Sequence, residues 1–292
     1  MSELFNKFSG PIARLNHRAD DSSPVHDFRL WKNDQKHLEC FYAPFEHVNT
    51  SAEIVLIGIT PGRTQMNRAL NAAARSVKAG SNIDEAVSEV KRVGSFSGSM
   101  RPNIVNALNK LGYQNRLGIR DSSELWSTKN NLVNFCSLLK YPVFIRGKDY
   151  NGNPNPFKVS ELEKLLIDGF AKDLQSIPPT AELVPLGDFV ASVISELDRR
   201  NLVPQKITRF EGKIVAPPHP SGANAESISL LLSNTYPEKS QYLESKYREY
   251  LSKRSWEKRA NGKPQPEEKY KAARASRWES MLFVRKAYGI NA

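Results

Sequence analysis

Only two cysteines, Cys40 and Cys136, occur in 292 residues. Two thiols cannot build a disulfide framework or a four-cysteine metal site. Long apolar runs are missing as well. The longest are strand-length, the amino terminus is polar, and no window has the length of a transmembrane span or the pattern of a signal peptide. The chain also lacks internal repeats. These absences exclude a secreted disulfide scaffold, an integral membrane protein and a solenoid, and leave a cytoplasmic protein as the expectation. What is present is charge and enough apolar content for a core: 39% hydrophobic residues and a formal net charge of +11. That length suits one large domain, or one domain with appendages.

The excess charge is unevenly placed. Residues 238–286 hold fourteen Lys or Arg against seven Glu, a net of +7, interleaved with Tyr242, Tyr247, Tyr250, Trp256, Tyr270 and Trp278. Cations release counterions from nucleic acid and rings stack on bases, so this composition suits DNA contact. A solvated helical appendage whose aromatics pack on the main domain fits the same residues.

Residues 1–50 mix Pro, His and charge with isolated aromatics and read as an irregular arm packed on the core. From Glu53 to Thr60 the apolar residues run without alternation, as in a strand covered on both faces. Helical spacing follows in Met66, Ala69, Leu70, Ala73 and Val77, then in Ile83, Ala86, Val87 and Val90, a hairpin over residues 66–93. Ile104, Val105, Leu108 and Leu111 mark another helix ending at Gly112. Strands are expected at residues 132–139 and 183–186, with a helix between them and another after Asp188. Alternating strands and helices imply an α/β fold with a mainly parallel sheet. The run from Asn261 to Pro266 splits residues 236–292, a basic helical extension, into two pieces.

Two loop motifs stand out, each after an apolar run. Gly58-Ile59-Thr60-Pro61-Gly62 follows residues 53–57, and His219-Pro220-Ser221-Gly222-Ala223-Asn224 follows residues 212–216, read as a second buried strand. Ligands bind beyond the carboxyl ends of strands in open α/β sheets, so both loops can face one substrate although 159 positions separate Thr60 from His219. Pro218 and Pro220 restrict the backbone around the imidazole. Asn224 is either a phosphate contact or the N-cap of the next helix.

The pair resembles the uracil-DNA glycosylase superfamily. Gly58 to Gly62 is similar, with one residue different, to the first catalytic loop of its mismatch-specific branch, and His219 to Gly222 to its second loop. Between them, in the same order, lie Phe96-Ser97-Gly98, Leu132-Val133-Asn134 and residues 183–188, so the likeness covers roughly residues 53–232. It implies a three-layer α/β/α sandwich over residues 51–235 and a monofunctional DNA glycosylase without a cofactor. Such an enzyme hydrolyses the N-glycosidic bond of a flipped uracil-like or modified pyrimidine and leaves an abasic site. The expected partner is DNA, bound by a monomer, with neither a membrane nor a metal cluster involved. The four cluster cysteines of the thermostable branch are absent, and no Lys at a motif position serves a strand-cleaving lyase.

By the same likeness Thr60 holds the attacking water where the family often has Asp or Asn, and His219 donates to the departing base. Gly58, Ile59, Gly62, Phe96 and Asn134 bind the base, Phe96 by stacking and Asn134 along its polar edge, with Asn130 and Asn131 competing for that last role. Ser221, Gly222, Ala223 and Asn224 grip a phosphate. The helical hairpin either covers the site or extends the core. Gly62 replaces a Tyr that blocks the pyrimidine C5 in the uracil-specific branch, which admits C5-substituted bases, phage DNA being one source. Two other readings fit: a catalytically idle member that recognises modified or mismatched DNA, and a small-molecule N-glycosidase or nucleotide hydrolase.

Overall fold

The computed structural model describes residues 3–15, 26–258 and 262–290. Its centre is a four-stranded parallel sheet of β3 (Ile54–Gly58), β4 (Val133–Ser137), β7 (Glu182–Pro185) and β8 (Lys206–Ile207), in the order β4-β3-β7-β8. All five residues of β3 are buried. Alternate residues serve opposite cores, as the two-residue period of a strand requires: Ile54 and Leu56 enter one, Val55 and Ile57 the other. The first core is completed by α4 (Met100–Lys110), α5 (Tyr113–Arg116), α9 (Ala225–Leu232) and α11 (Glu267–Ala287) through Ile104, Leu108, Tyr113, Leu231 and Val284. The second is completed by α6 (Ser160–Lys164), the wide turn that follows it, α7 (Lys172–Leu174) and α8 (Asp188–Arg199), through Leu162, Phe170, Leu174, Val190 and Ile194. Helices therefore cover both faces of a mainly parallel sheet.

The amino-terminal segment departs from the expected irregular arm. It holds the helix α1 (Glu3–Ala13) and two strands, β1 (Arg29–Asn33) and β2 (Leu38–Phe41). With β5 (Val143–Ile145) and β6 (Lys148–Asp149) these strands form a separate antiparallel sheet in the order β1-β2-β5-β6. Isolated aromatics gave no strand period, but cross-chain pairing of Leu38 with Ile145 and Cys40 with Val143 supplies the structure. Phe5, Phe8, Phe28, Tyr42 and Phe45 form a third core with α2 (Arg63–Lys78) and α3 (Ile83–Gly94), the expected helical hairpin.

The apolar run before His219 is not a member of the main sheet. Only Lys213–Ile214 is extended there, as β10, paired antiparallel with β9 (Arg209–Phe210) in a two-stranded ribbon. The edge position falls to β8, whose Lys206 and Ile207 pair with Glu182 and Leu183. Val215 and Ala216 are buried as expected, so hydrophobicity marked burial there and not pairing.

The basic extension is welded to the core. It consists of α10 (Lys239–Ser252) and α11, split as expected, although Asn261 lies outside the described residues. Tyr242, Tyr250 and Tyr270 are buried, and Tyr250 stacks on Tyr270 at 4.4 Å. Trp278 packs on Tyr236 and donates its indole N–H to the Pro237 carbonyl. Several cations are spent on local carboxylates, as in Lys271 with Glu244 and Glu267, and Arg277 with Glu226. The packing reading thus holds for these rings. Arg285 is fully buried and donates to the carbonyls of Leu231 (3.1 Å) and Ser233 (2.7 Å), capping the end of α9. Arg285→Leu would orphan both carbonyls; unfolding in urea should show a loss of about 3 kcal/mol, the scale of charge-assisted hydrogen bonds and stranded buried acceptors.

Candidate active site

After β3 the chain passes through α2 and α3 to α4, which packs on one face of the sheet, and after β7 it enters α8, which packs on the other. Loops that diverge in this way leave a crevice beyond the carboxyl ends of the strands. A cavity of about 390 Å³ lies there, within the range of small-molecule sites. Both sequence motifs reach it: Gly58, Ile59, Thr60, Pro61 and Gly62 from the first loop, and His219 and Ser221 from the second. The hairpin contributes Gln65 and Lys91, so it both extends the third core and walls the site. Asn134, Gly222, Ala223 and Asn224 are not among the lining residues.

The His219 loop is held at three points. Gly187 N–H donates to the Pro217 carbonyl at 2.8 Å, the Asn103 amide donates to the Pro220 carbonyl at 2.7 Å, and Pro217, Pro218 and Pro220 are buried. Gly187 has φ +101°, and a Cβ there would stand 3.0 Å from the His219 Cβ, so this turn accepts only glycine. The Ser221 N–H points at His219 Nδ1 (3.3 Å), and the Ser221 hydroxyl lies 3.0 Å from the same nitrogen. An Nδ1 that accepts from a backbone amide carries no proton, so the ring proton sits on Nε2. Burial pushes the His219 pKa below its usual 6.5, which keeps the ring neutral at neutral pH. The result is a fixed, uncharged N–H donor at the cavity.

Ser221 is therefore an orienting group for the imidazole, its hydroxyl hydrogen directed at Nδ1 and its oxygen accepting from the Asn224 amide at 3.2 Å. This replaces the phosphate role expected of both side chains, and Asn224 also makes no side-chain cap on α9. Gly222 and Ala223 are exposed beside the cavity, in the single turn Gly222–Asn224 that opens α9.

Phe96 is brought to the cavity in a left-handed conformation, φ +50°, which for a bulky residue stores strain of about 1–2 kcal/mol. Its ring lies edge-on to Phe135 and close above Gly58, where a Cβ would stand 3.0 Å from the ring. Gly58 is thus a spacer for the aromatic wall. The carbonyls of Gly58 and Ile59 accept from Leu138 and Leu139, and the Gly62 N–H donates to Gln65, so those backbone groups are already committed.

Thr60 lines the cavity, yet its hydroxyl is engaged. It donates to the Tyr141 carbonyl (2.9 Å) and accepts from the Val143 N–H (3.1 Å), tying the first loop to the start of β5. Its donor is spent. Asn134 is the clearest misplacement: it pairs with Val55, three rows from the Gly58–Ser137 row at the cavity, and its side-chain oxygen accepts from Asn49 N–H at 3.0 Å. Asn130 and Asn131 lie beyond it at the same far end, and their carbonyls accept from the Asn49 amide. Ser137, in register with Gly58, lies at the cavity end of β4, where Phe135 and Cys136 also line the wall.

Sequence reading missed four groups. Asp149 enters from β6 of the antiparallel sheet, accepts from Arg63 N–H at 3.0 Å, and occupies the space above Gly62, where a Cβ would meet its carboxylate at 2.6 Å. The room that Gly62 opens is filled by an acid. Asp173 also lines the cavity but is ion-paired to Lys140 at 2.7 Å. Ser97 presents a buried hydroxyl without a hydrogen-bond partner at the cavity wall, a ready contact for a polar ligand. Lys91 is buried at the cavity and donates to the carbonyls of Phe45 (3.1 Å) and His47. Ser97 stands in the Phe96-Ser97-Gly98 motif but had no role of its own there; Asp149, Asp173 and Lys91 stand in no motif, and Asp149 reaches the site only through the pairing of β6 with β5.

Cys136 borders the cavity as a thiol, its pKa pushed up to about 12 by burial. Among the described residues no three His, Cys, Asp or Glu side chains converge as for a metal ion, and no helix is long and apolar enough to cross a membrane. Fold and cleft together define an α/β protein with a mainly parallel sheet and a cavity at its carboxyl edge. A curated relative, the uncharacterized protein YoxB of Bacillus subtilis (strain 168), is 32% identical over 209 residues, 71% of this chain and 79% of that protein. The chain belongs to the family of that protein. No family model and no solved structure matches.

In solution, the His219 ring should titrate below pH 6.5 with its proton on Nε2, read from nitrogen-15 shifts of the imidazole across a pH series. A midpoint at or above 6.5, or an Nδ1–H tautomer, would contradict the geometry around Ser221.

Proposed function

We propose that this protein is a monofunctional DNA glycosylase of the uracil-DNA glycosylase superfamily type, which removes a pyrimidine base by hydrolysis. The observation that carries this reading is the convergence of the fixed His219 Nε2–H, the Phe96 ring and the first loop on one cavity at the carboxyl edge of a parallel sheet. The order of the two motifs and the formal charge of +11 agree with a polyanionic substrate.

In this mechanism the flipped base stacks on Phe96, and its polar edge meets the hydroxyls of Ser97 and Ser137. The C1′–N bond breaks with its electron pair passing to the base, where His219 donates a hydrogen bond to a carbonyl oxygen. Water adds its oxygen to C1′ and gives its proton to a carboxylate. Asp149 takes that role in place of Thr60, because the Thr60 hydroxyl is committed to Tyr141 and Val143 and Asp173 is neutralised by Lys140. An abasic site and a free base result.

Incubation with oligonucleotides that each carry one uracil or one C5-substituted pyrimidine, followed by hot alkali, tests the reading. Breaks at the lesion support it; a gel shift without breaks would indicate a binding protein, and neither would point to a nucleotide-sized substrate. Within the active protein, His219→Ala and Asp149→Asn should each lower single-turnover base release about 100-fold while duplex affinity stays within about twofold, the usual pattern when a group acts in the transition state. A folded Asp149→Asn variant that cuts at the parental rate would remove the acid from the mechanism.

A further inference from the structure

The cavity contains a buried cation that the mechanism above does not use. Lys91 lies in the last turn of α3 and is 5% exposed. Its ammonium has three N–H bonds, of which two are taken by the carbonyls of Phe45 and His47. No carboxylate of the described residues stands within ion-pairing distance of it. The charged and titratable groups that face it are Asp173, Lys140, Cys136, Glu46 and His47. Asp173 is bound to Lys140, Cys136 stays a thiol, and Glu46 accepts from Tyr141 OH at 3.4 Å. A buried charge without a counter-ion is costly, and such groups concentrate where a ligand brings the opposite charge.

Resting on the glycosylase reading, we propose that Lys91 is the cationic floor of the base pocket and takes up, together with His219, the negative charge that the departing base acquires. The substrate class is then a base that leaves as an anion delocalised over its ring carbonyls, and a neutral purine lacking such carbonyls is disfavoured. Lys91 is not a nucleophile here. Its N–H bonds are held by two carbonyls, and a protonated amine has no lone pair to offer a sugar aldehyde. Burial lowers its pKa to about 8, so the cation is present at neutral pH and is lost as pH rises through that value.

The test uses the full chain and a series of duplexes bearing uracils whose C5 substituents change the acidity of N1. Lys91→Met should slow single-turnover release about 100-fold for the least acidic base and much less for the most acidic, steepening the dependence on leaving-group acidity. Lys91→Arg, which keeps the charge, should restore the parental slope and abolish the fall in rate above about pH 8. A second readout needs no turnover: with abasic duplex bound, adding free 5-fluorouracil at alkaline pH should raise the Lys91 titration midpoint, followed by carbon-13 shifts of the lysine Cε. Uniform slowing across the series with an unchanged slope would make Lys91 a strut for residues 45–47 and overturn the proposal, as would an unmoved midpoint. If the parental protein releases no base but the midpoint still rises, the glycosylase reading fails and the anion site stands.

Discussion

The hydrogen bond from the Gly187 N–H to the Pro217 carbonyl, 2.8 Å long, joins the end of β7 to the loop that carries His219. It forms because Gly187 has no Cβ and adopts φ +101°, which lets the second loop lie directly on the turn after β7. The Asn103 amide from α4 braces the same loop from the opposite side of the sheet. With its path fixed, the loop can close on itself, the Ser221 amide reaching back to Nδ1 and leaving Nε2–H for the cavity. Orientation and tautomer are thus consequences of backbone packing several residues from the ring.

Around that donor the cavity gathers groups of distinct charge. A neutral imidazole from the loop after β10, an ammonium without a carboxylate partner from α3 and an acid over Gly62 from β6 meet there, beside a Lys140–Asp173 pair. Lys91 is buried and His219 half-buried, so these two groups act more strongly than they would in water, whereas Asp149 is exposed. Phe96 and Phe135 form an aromatic wall of the cavity, with Trp126 stacked behind Phe135 at 4.7 Å.

Segments that look peripheral in the chain are structural parents of the site. The amino-terminal strands pair with β5 and thereby fix β6 and Asp149. Residues 45–47 supply the carbonyls that hold Lys91. At the other end of the chain α11 caps α9, the helix opened by the His219 loop, through the buried guanidinium of Arg285. A long basic tail here is therefore a brace first, with its aromatic rings consumed by packing and several of its cations by neighbouring glutamates.

The sequence by itself determined the class of fold, the helical hairpin, the break in the carboxyl-terminal helices and the two loops at the sheet edge. Each is a local matter: unbroken apolar runs bury a parallel strand, helical spacing makes one face, and Gly and Pro fix turns. It also marked Gly58, Thr60 and His219 as neighbours and, through the family resemblance, Phe96; the strand expected before His219 is absent from the main sheet, and the Gly187–Pro217 hydrogen bond brings that loop to the edge instead. Only the tertiary structure decided the register of β4 against β3, and so brought Ser137 to the cavity in place of Asn134; a three-residue shift along a strand leaves no trace in composition. Pairing with a distant chain segment created β8, the antiparallel sheet and the placement of Asp149, none of which has a local signal. The fate of the Thr60 hydroxyl and the uncompensated charge of Lys91 were likewise invisible, because a residue type states what a side chain can donate or accept, and only its neighbours state what remains to be offered.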